Sequence, residues 1–334
     1  RSVEWLIPRL SAGIPWFIEF WTRDEIISTK ALMYMNKKEV AKKILFKYLD
    51  HYIGHKGLAQ NKTPNPSYYA ADSLGWIFYR TRDLSNFTNI KDDFSHIEQK
   101  LRDSLKHLLK SRAIGDFIKN EQYETWMDSI KREGIRLEIQ ALQLFAYNFM
   151  RNLNHKNSSY ELLENDLKLQ INNKFWNGSY LKDGLSDSSI RNNLFITYYL
   201  YPYMLNKESW LICFRTALLK LWNDWGGISS LDKTSTDFHD YYTGEDAKSY
   251  HNGDSWFYIN NMAAIVLNEV NKKEFKMYIK KILNASVNDI LYRGAISHHS
   301  EISSSKEQDS NGCFAQSWSA ALFIELVNEL YKNN

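Results

Sequence analysis

The chain has 334 residues, long enough for one large domain or two. Its 42 Lys and Arg against 39 Asp and Glu leave a net charge of +3, which excludes the clustered basic surplus of a dedicated nucleic-acid or membrane-surface protein. At 44% hydrophobic and 24% charged residues the composition is globular, and no apolar run approaches the roughly 18 residues of a membrane span.

Two cysteines, Cys213 and Cys313, are too few for a disulfide framework or a four-ligand zinc site, so a reducing, cytoplasmic setting is expected. The first residue is Arg1, and no apolar leader follows it. The expectation is a single domain over residues 1–334, a fragment of a longer chain. Only 5 prolines and 14 glycines occur, below the usual proportions of about 5% and 7%, which favours long helices over many short strands.

Helical periodicity runs through the chain. Apolar positions three and four apart predict helices over 24–35, 38–53, 71–83, 93–112, 137–154, 159–174, 189–205, 207–223, 254–270, 272–291 and 314–331. No segment alternates convincingly as a strand. Short turns near Asn36, Asn154–Ser158, Asn206 and Asn271 alternate with long segments at 12–23, 54–70, 113–136, 175–188, 224–253 and 292–313. Helical hairpins in a closed ring place alternate connections at opposite ends. The pattern therefore predicts an all-α (α/α)6 barrel with a loop-built cleft at one end, and a twelfth helix of which Arg1–Leu10 is a remnant. An open solenoid of hairpins is the competing architecture.

The long segments carry the chemistry. The first puts Trp16 and Trp21 beside the adjacent pair Arg23 and Asp24, at a helix start. Aromatic planes and forked polar groups are what a sugar ring requires, although Asp24 would equally serve as a helix cap. Asp72 stands at another helix start, where capping is again the simple reading. His51 and His55 are four apart but lack an obvious third ligand, so no metal is implied. Asp128 lies in a loop beside Trp126, where burial would keep a carboxyl protonated as a general acid; a turn residue is the alternative. Glu138 follows on the next helix. Later segments bring His251, Asp254 and Trp256, then His298, His299 and Glu301, then Trp318. Neighbouring histidines rarely converge on one ion, and nothing resembles a phosphate loop, a nucleotide fingerprint or a zinc spacing. Two carboxyls with aromatic walls are the chemistry of a glycoside hydrolase.

Five blocks, in order, resemble the amylo-α-1,6-glucosidase domain of glycogen debranching enzymes, within the six-hairpin glycosidases that include glucoamylases. Gly13–Asp24 resembles the family's Pro-Trp-Phe…Trp-x-Arg-Asp block, and Gly57–Trp76 its Gly-Leu-x-x-Asn…Asp-x-x-Leu-Trp block. Thr125-Trp126-Met127-Asp128 matches the debranching signature Thr-Trp-Met-Asp. Tyr250–Trp256 is similar to Tyr-His-x-Gly-x-x-Trp, and Gly294–Ala321 to the closing Glu…Gly-Cys-x-x-Gln-x-Trp-Ser block.

The resemblance implies Asp128 as general acid and Glu301 as general base of an inverting hydrolysis, with Asp254 the alternative base. The carboxyls would then lie roughly 6.5–9.5 Å apart. It further implies that Arg23 and Asp24 hold the terminal glucose, with Asp72, Glu138 and His251 as further contacts. Trp16, Trp21, Trp126, Trp256 and Trp318 would be the walls. The implied substrate is an α-glucan or oligosaccharide, with no cofactor, metal, nucleic acid or membrane, and the resemblance also implies a catalytic domain preceded by an upstream domain of the same polypeptide. An α-1,4-glucosidase of glucoamylase type, a trehalase and a catalytically silent glucan-binding module are the competing functions.

Overall fold

The computed structural model describes residues 10–54, 57–59, 69–88, 94–153 and 159–331. Its main elements are helices: α1 (Thr22–Tyr34), α2 (Lys38–Lys47), α3 (Ser73–Phe87), α4 (Phe94–Arg112), α5 (Leu137–Leu153), α6 (Ser159–Lys174), α7 (Asn193–Leu200), α8 (Lys207–Leu221), α9 (Phe257–Asn288) and α10 (Ser317–Tyr331). The proposed remnant helix, His55 and the turn 154–158 lie outside the described residues apart from Leu10, as does Asn61. Internal contacts divide the chain into two compact units. One comprises Glu19–Ile171 with the stretch that ends at Ala12, the other Gly13–Ile18 with Asn172–Asn334.

In the first unit α1 packs on α3, and α3 on α5. Along α4, apolar positions three and four apart face inward: Ile97, Leu101 and Leu105 are at 1% exposure or less, and Leu108 is half-buried. A buried Arg80 joins α3 to α1: Nε donates to the Ile27 carbonyl at 3.0 Å and Nη1 to Asp83 at 2.8 Å. The predicted helix 38–53 ends early, because Lys47 and Tyr48 turn inward to the buried carboxylate of Glu25. The backbone continues from Tyr48 to Tyr52 as a wider π turn.

In the second unit α10 and α7 both pack on α9. The expected break at Asn271 is present: α9 is two helices joined across a kink, where Asn271 leaves helical geometry at φ −162° and ψ 84°. Its side-chain oxygen accepts the Glu274 N–H, so Asn271 caps the second part. The predicted helix 189–205 contracts to α7. At one side Arg191 is drawn away to the His251 carbonyl and the Asn252 side chain. At the other, Tyr201 leaves helical geometry at φ −145° and ψ 79°, and Pro202 opens a short 3₁₀ turn.

Contrary to the strand-free expectation, two- and three-residue ladders stitch the connections. Gly13–Ile14 pairs with Ala315–Gln316, and Ser255–Trp256 with Ile302–Ser303. These pairings are why α9 and α10 start at Phe257 and Ser317 rather than at 254 and 314.

Candidate active site

The connections described above gather the sequence-predicted residues into two clusters, one in each unit. The first is built on the N-terminal ends of α1 and α3 and the loop before α5. Trp21, not Asp24, occupies the N-cap position of α1, which sets Arg23 and Asp24 in the first helical turn. Arg23 is 2% exposed; its Nε donates to Asp72 Oδ2 at 2.7 Å and its Nη1 reaches Asp128 Oδ2 at 3.5 Å. Asp72 does occupy the N-cap of α3, but its carboxylate makes no capping bond. It is turned to Arg23 instead.

The loop that carries Asp128 is pinned from several sides. The Ala71 N–H donates to the Glu124 carbonyl at 2.7 Å, tying the loop to the start of α3. The Arg112 guanidinium forks onto the Glu124 carboxylate at 2.8 and 3.0 Å. Arg132 donates to Thr125 Oγ1 and forks onto Glu138 at 2.8 and 3.2 Å. Glu138, 1% exposed, is thus taken up by a buried ion pair that braces the Thr125–Asp128 segment. Trp126 is buried at 3% exposure, while Asp128 keeps 29% of its side chain accessible.

These surroundings set the charges. Burial lifts the Asp128 carboxyl to about 6; Arg23 opposes the rise and the neighbouring charge of Asp72 adds to it. Burial works against the Arg23 charge, yet Asp72 and Asp128 together hold its pKa above the ordinary value. Two polar atoms of this cluster, Arg23 Nη2 and Asp72 Oδ1, are buried without a hydrogen-bond partner among the described residues. They are a donor and an acceptor with capacity left for a ligand's hydroxyls.

The second cluster surrounds Glu301, which is 2% exposed. Its backbone is clamped by Cys313, with Glu301 N–H donating to the Cys313 carbonyl at 2.9 Å and the Cys313 N–H to Glu301 Oε2 at 2.8 Å. Tyr250 donates its hydroxyl to Oε1. Gly312 passes close by with φ +67°, and a Cβ there would come within 2.3 Å of Oε2. That position requires glycine twice over, for backbone angle and for space.

Aromatic stacking holds the walls of this cluster. His251 lies flat against Trp256 with centroids 4.9 Å apart, and Trp318 against Tyr258 at 4.2 Å. Trp256 meets Trp318 edge-on at 5.8 Å. His251, Trp256 and Trp318 expose 4% or less, so they back the cluster with little open face. Trp16, in the same unit, is 64% exposed. Asp254 is fully buried and takes the Ser249 hydroxyl at 2.7 Å. Burial raises its carboxyl to about 7; the Ser249 bond opposes this and the charge of Glu301 reinforces it.

Sequence reasoning missed the anchor of the Glu301 loop. His299 Nδ1 lies 2.7 Å from Asp289 Oδ2 and its Nε2 3.2 Å from the Asn261 amide. Asp289 also accepts from the Ser300 N–H and the Ser310 hydroxyl. Burial would raise the Asp289 carboxyl, but the bonds from His299, Ser310 and Ser300 hold it below its ordinary value. The adjacent histidines were legible; the carboxylate ten residues upstream, in a second π turn Asp289–Arg293, carried no local signal. Among the described residues no group of three or more His, Cys, Asp and Glu is placed to hold a metal. Nor is any described helix long and apolar enough to cross a membrane.

The sequence pattern of the family described as amylo-alpha-1,6-glucosidase matches residues 4–325. The chain belongs to this amylo-alpha-1,6-glucosidase family. It is therefore a glycoside hydrolase by family. No curated protein matches it by sequence. Solved structures share its fold at low identity. A GH63 mannosylglycerate hydrolase from Thermus thermophilus, in complex with Tris and D-glycerate, aligns with a TM-score of 0.72 at 11% identity, covering 95% of each chain. The same hydrolase with glucose aligns at 0.69 and 13% identity, covering 94% of this chain and 95% of the other. A wild-type glycosidase gives 0.69 at 11% identity, covering 97% and 92%. The expected all-α, six-hairpin barrel class is the fold this family member shares with those glycosidases.

Proposed function

We propose that this amylo-alpha-1,6-glucosidase family member is an exo-acting, inverting α-glucosidase that releases glucose from α-1,6 branch points of glycogen-like glucans. The observation that carries the reading is the Arg23–Asp72–Asp128 cluster. It contains a carboxyl lifted to about 6 and still accessible, beside a buried donor and acceptor with unused capacity. A carboxyl protonated near neutrality suits proton donation to a glycosidic oxygen. Arg23 and Asp72, rather than Arg23 and Asp24, are the pair offered to adjacent hydroxyls of the terminal glucose.

In this mechanism Asp128 protonates the leaving oxygen. Glu301, held by Tyr250 and Cys313, takes the proton of the water that attacks the anomeric carbon. The C–O bond to the aglycone breaks as the new C–O bond forms on the opposite face, so the product emerges as β-glucose. Asp254 is the less suited base, because its carboxyl is raised to about 7 and would be half protonated near neutrality. A fold neighbour acts on mannosylglycerate, so small glycosides belong in the assay beside branched glucans.

The test is proton NMR of the chain with a singly α-1,6-branched maltooligosaccharide, a linear maltooligosaccharide, trehalose and mannosylglycerate. Early β-glucose from the branched substrate alone is the expected outcome. Early α-glucose would overturn inversion, and release from another substrate in its place would overturn the linkage. No release from any of them would overturn the enzymatic reading.

A further inference from the structure

The second unit contains a cavity of about 330 Å³ that takes no part in the Glu301 cluster. It is formed where the C-terminal end of α7, the connection Tyr201–Asn206, the start of α8 and the end of α9's first half come together. That first half begins at Phe257, beside Trp256, and ends at Val270 in the cavity wall. At 1.5 Å per residue the two sites are separated by roughly 20 Å of straight helix.

The floor is rigid. Tyr198 meets Trp210 edge-on at 5.1 Å, and Trp210 Nε1 donates to the Pro202 carbonyl at 2.7 Å. The connection itself is held from beneath, since the Met204 carbonyl accepts from Asn172 at 2.9 Å. Above this floor stands Tyr203, 65% exposed and braced edge-on by Tyr201 at 5.9 Å. Lys207 and Glu269 complete the lining, one cation and one carboxylate. Burial, and then the nearby charge of Glu269, push the Tyr198 hydroxyl above its ordinary pKa, so that hydroxyl stays a neutral donor.

This lining discriminates among ligands. One cation and one carboxylate in the same lining give no net attraction for a phosphate or another anion. Two charged side chains and tyrosine hydroxyls are costly to cover with a lipid or an apolar peptide. A neutral polyhydroxylated molecule satisfies all of them, resting a C–H face on the aromatic rings while its hydroxyls meet Lys207 and Glu269. The volume is at the lower end of the roughly 300–1,000 Å³ usual for ligand sites, which fits a short saccharide segment.

We infer that the Tyr198–Tyr203–Lys207–Glu269 cavity is a second, non-catalytic carbohydrate site that binds a short stretch of α-glucan chain. The identity of the saccharide rests on the function proposed above; the site rests on its own geometry. Its effect would be to keep the enzyme on a polymer between cleavages and to leave the chemistry of a short substrate untouched.

Native gels containing glycogen, together with maltohexaose titrations, test the inference. Both are run with and without a saturating glucose-like iminosugar that occupies the Arg23 cluster. The wild-type chain is expected to be retarded by glycogen and to bind maltohexaose even with the inhibitor present. Tyr203→Ala should weaken that inhibitor-resistant binding about tenfold, and Glu269→Gln should weaken it as well. Both variants should hydrolyse a short branched oligosaccharide at the wild-type rate. Binding abolished by the inhibitor, or unchanged in both variants, overturns the second site. Inhibitor-resistant binding without hydrolysis would instead retain the site and overturn the proposed reaction.

Discussion

Arg23 donates through Nε to Asp72 at 2.7 Å, a buried ion pair that links residues 49 apart in sequence and leaves one further donor and one further acceptor unused. The pair is poised between two tasks, holding α1 to the start of α3 and presenting polar atoms to a ligand.

Removing either partner should reveal both tasks. Asp72→Asn leaves the Arg23 charge buried opposite a neutral amide, a change of about 3–5 kcal/mol in stability for pairs of this kind. Arg23→Lys should fare little better, because an ammonium cannot supply a planar fork to two carboxylates and a sugar together. The measurement is thermal melting beside the affinity for a glucose-like inhibitor. Unchanged inhibitor affinity in Arg23→Lys would remove Arg23 from substrate binding.

Asp128→Asn should lower turnover by about 10²–10⁴-fold with the melting temperature within a few degrees of wild type. The acid must be protonated to act, and its carboxyl titrates at about 6. Turnover of the wild-type chain should therefore fall as the pH rises through about 6, provided chemistry limits the rate. A pH–rate profile flat from pH 5 to 8 would contradict the assignment.

The Asp254 carboxyl has a different signature, in stability. Its folded pKa of about 7 lies above the ordinary aspartate value of 3.8, so the folded state holds more protons than the unfolded state between these limits. Stability contributed by this group is present below about pH 4 and is lost as the pH rises through about 7. Asp254→Asn abolishes that loss. Its melting temperature relative to wild type should be higher at pH 8 than at pH 5, with the difference read by calorimetry at both values.

The Glu301 carboxylate should be sensitive to its supports. Tyr250→Phe removes one hydrogen bond to a charged group, worth about 1.5–3 kcal/mol, and should lower turnover roughly tenfold or more. Gly312→Ala forces Oε2 to move and should lower turnover further. Kinetics of both variants at matched folded fraction would separate displacement of the carboxylate from loss of fold.

Helix positions were readable because burial on one face leaves a period in the sequence: Ile97, Leu101 and Leu105 reported α4. The break at Asn271 was readable because a polar turn former interrupted two apolar faces. Two-residue ladders such as Ser255–Trp256 with Ile302–Ser303 are too short to show a period. Long-range pairing was equally silent. Asp24 is adjacent to Arg23 in sequence, yet the guanidinium reaches Asp72 and Asp128, 49 and 105 residues away. Nothing local in the sequence marks Arg132 as the forked partner of Glu138. Asp289, ten residues before His299, belonged to no motif.

The clamp between Glu301 and Cys313 is made by main-chain atoms on the Cys313 side. Any residue other than proline that fits the buried volume keeps that N–H and that carbonyl, so the grip itself does not use the thiol. Inherited variation at the two adjacent positions should then be opposite in kind. A saturation library selected for activity would admit Ala or Ser at 313 while returning glycine alone at 312.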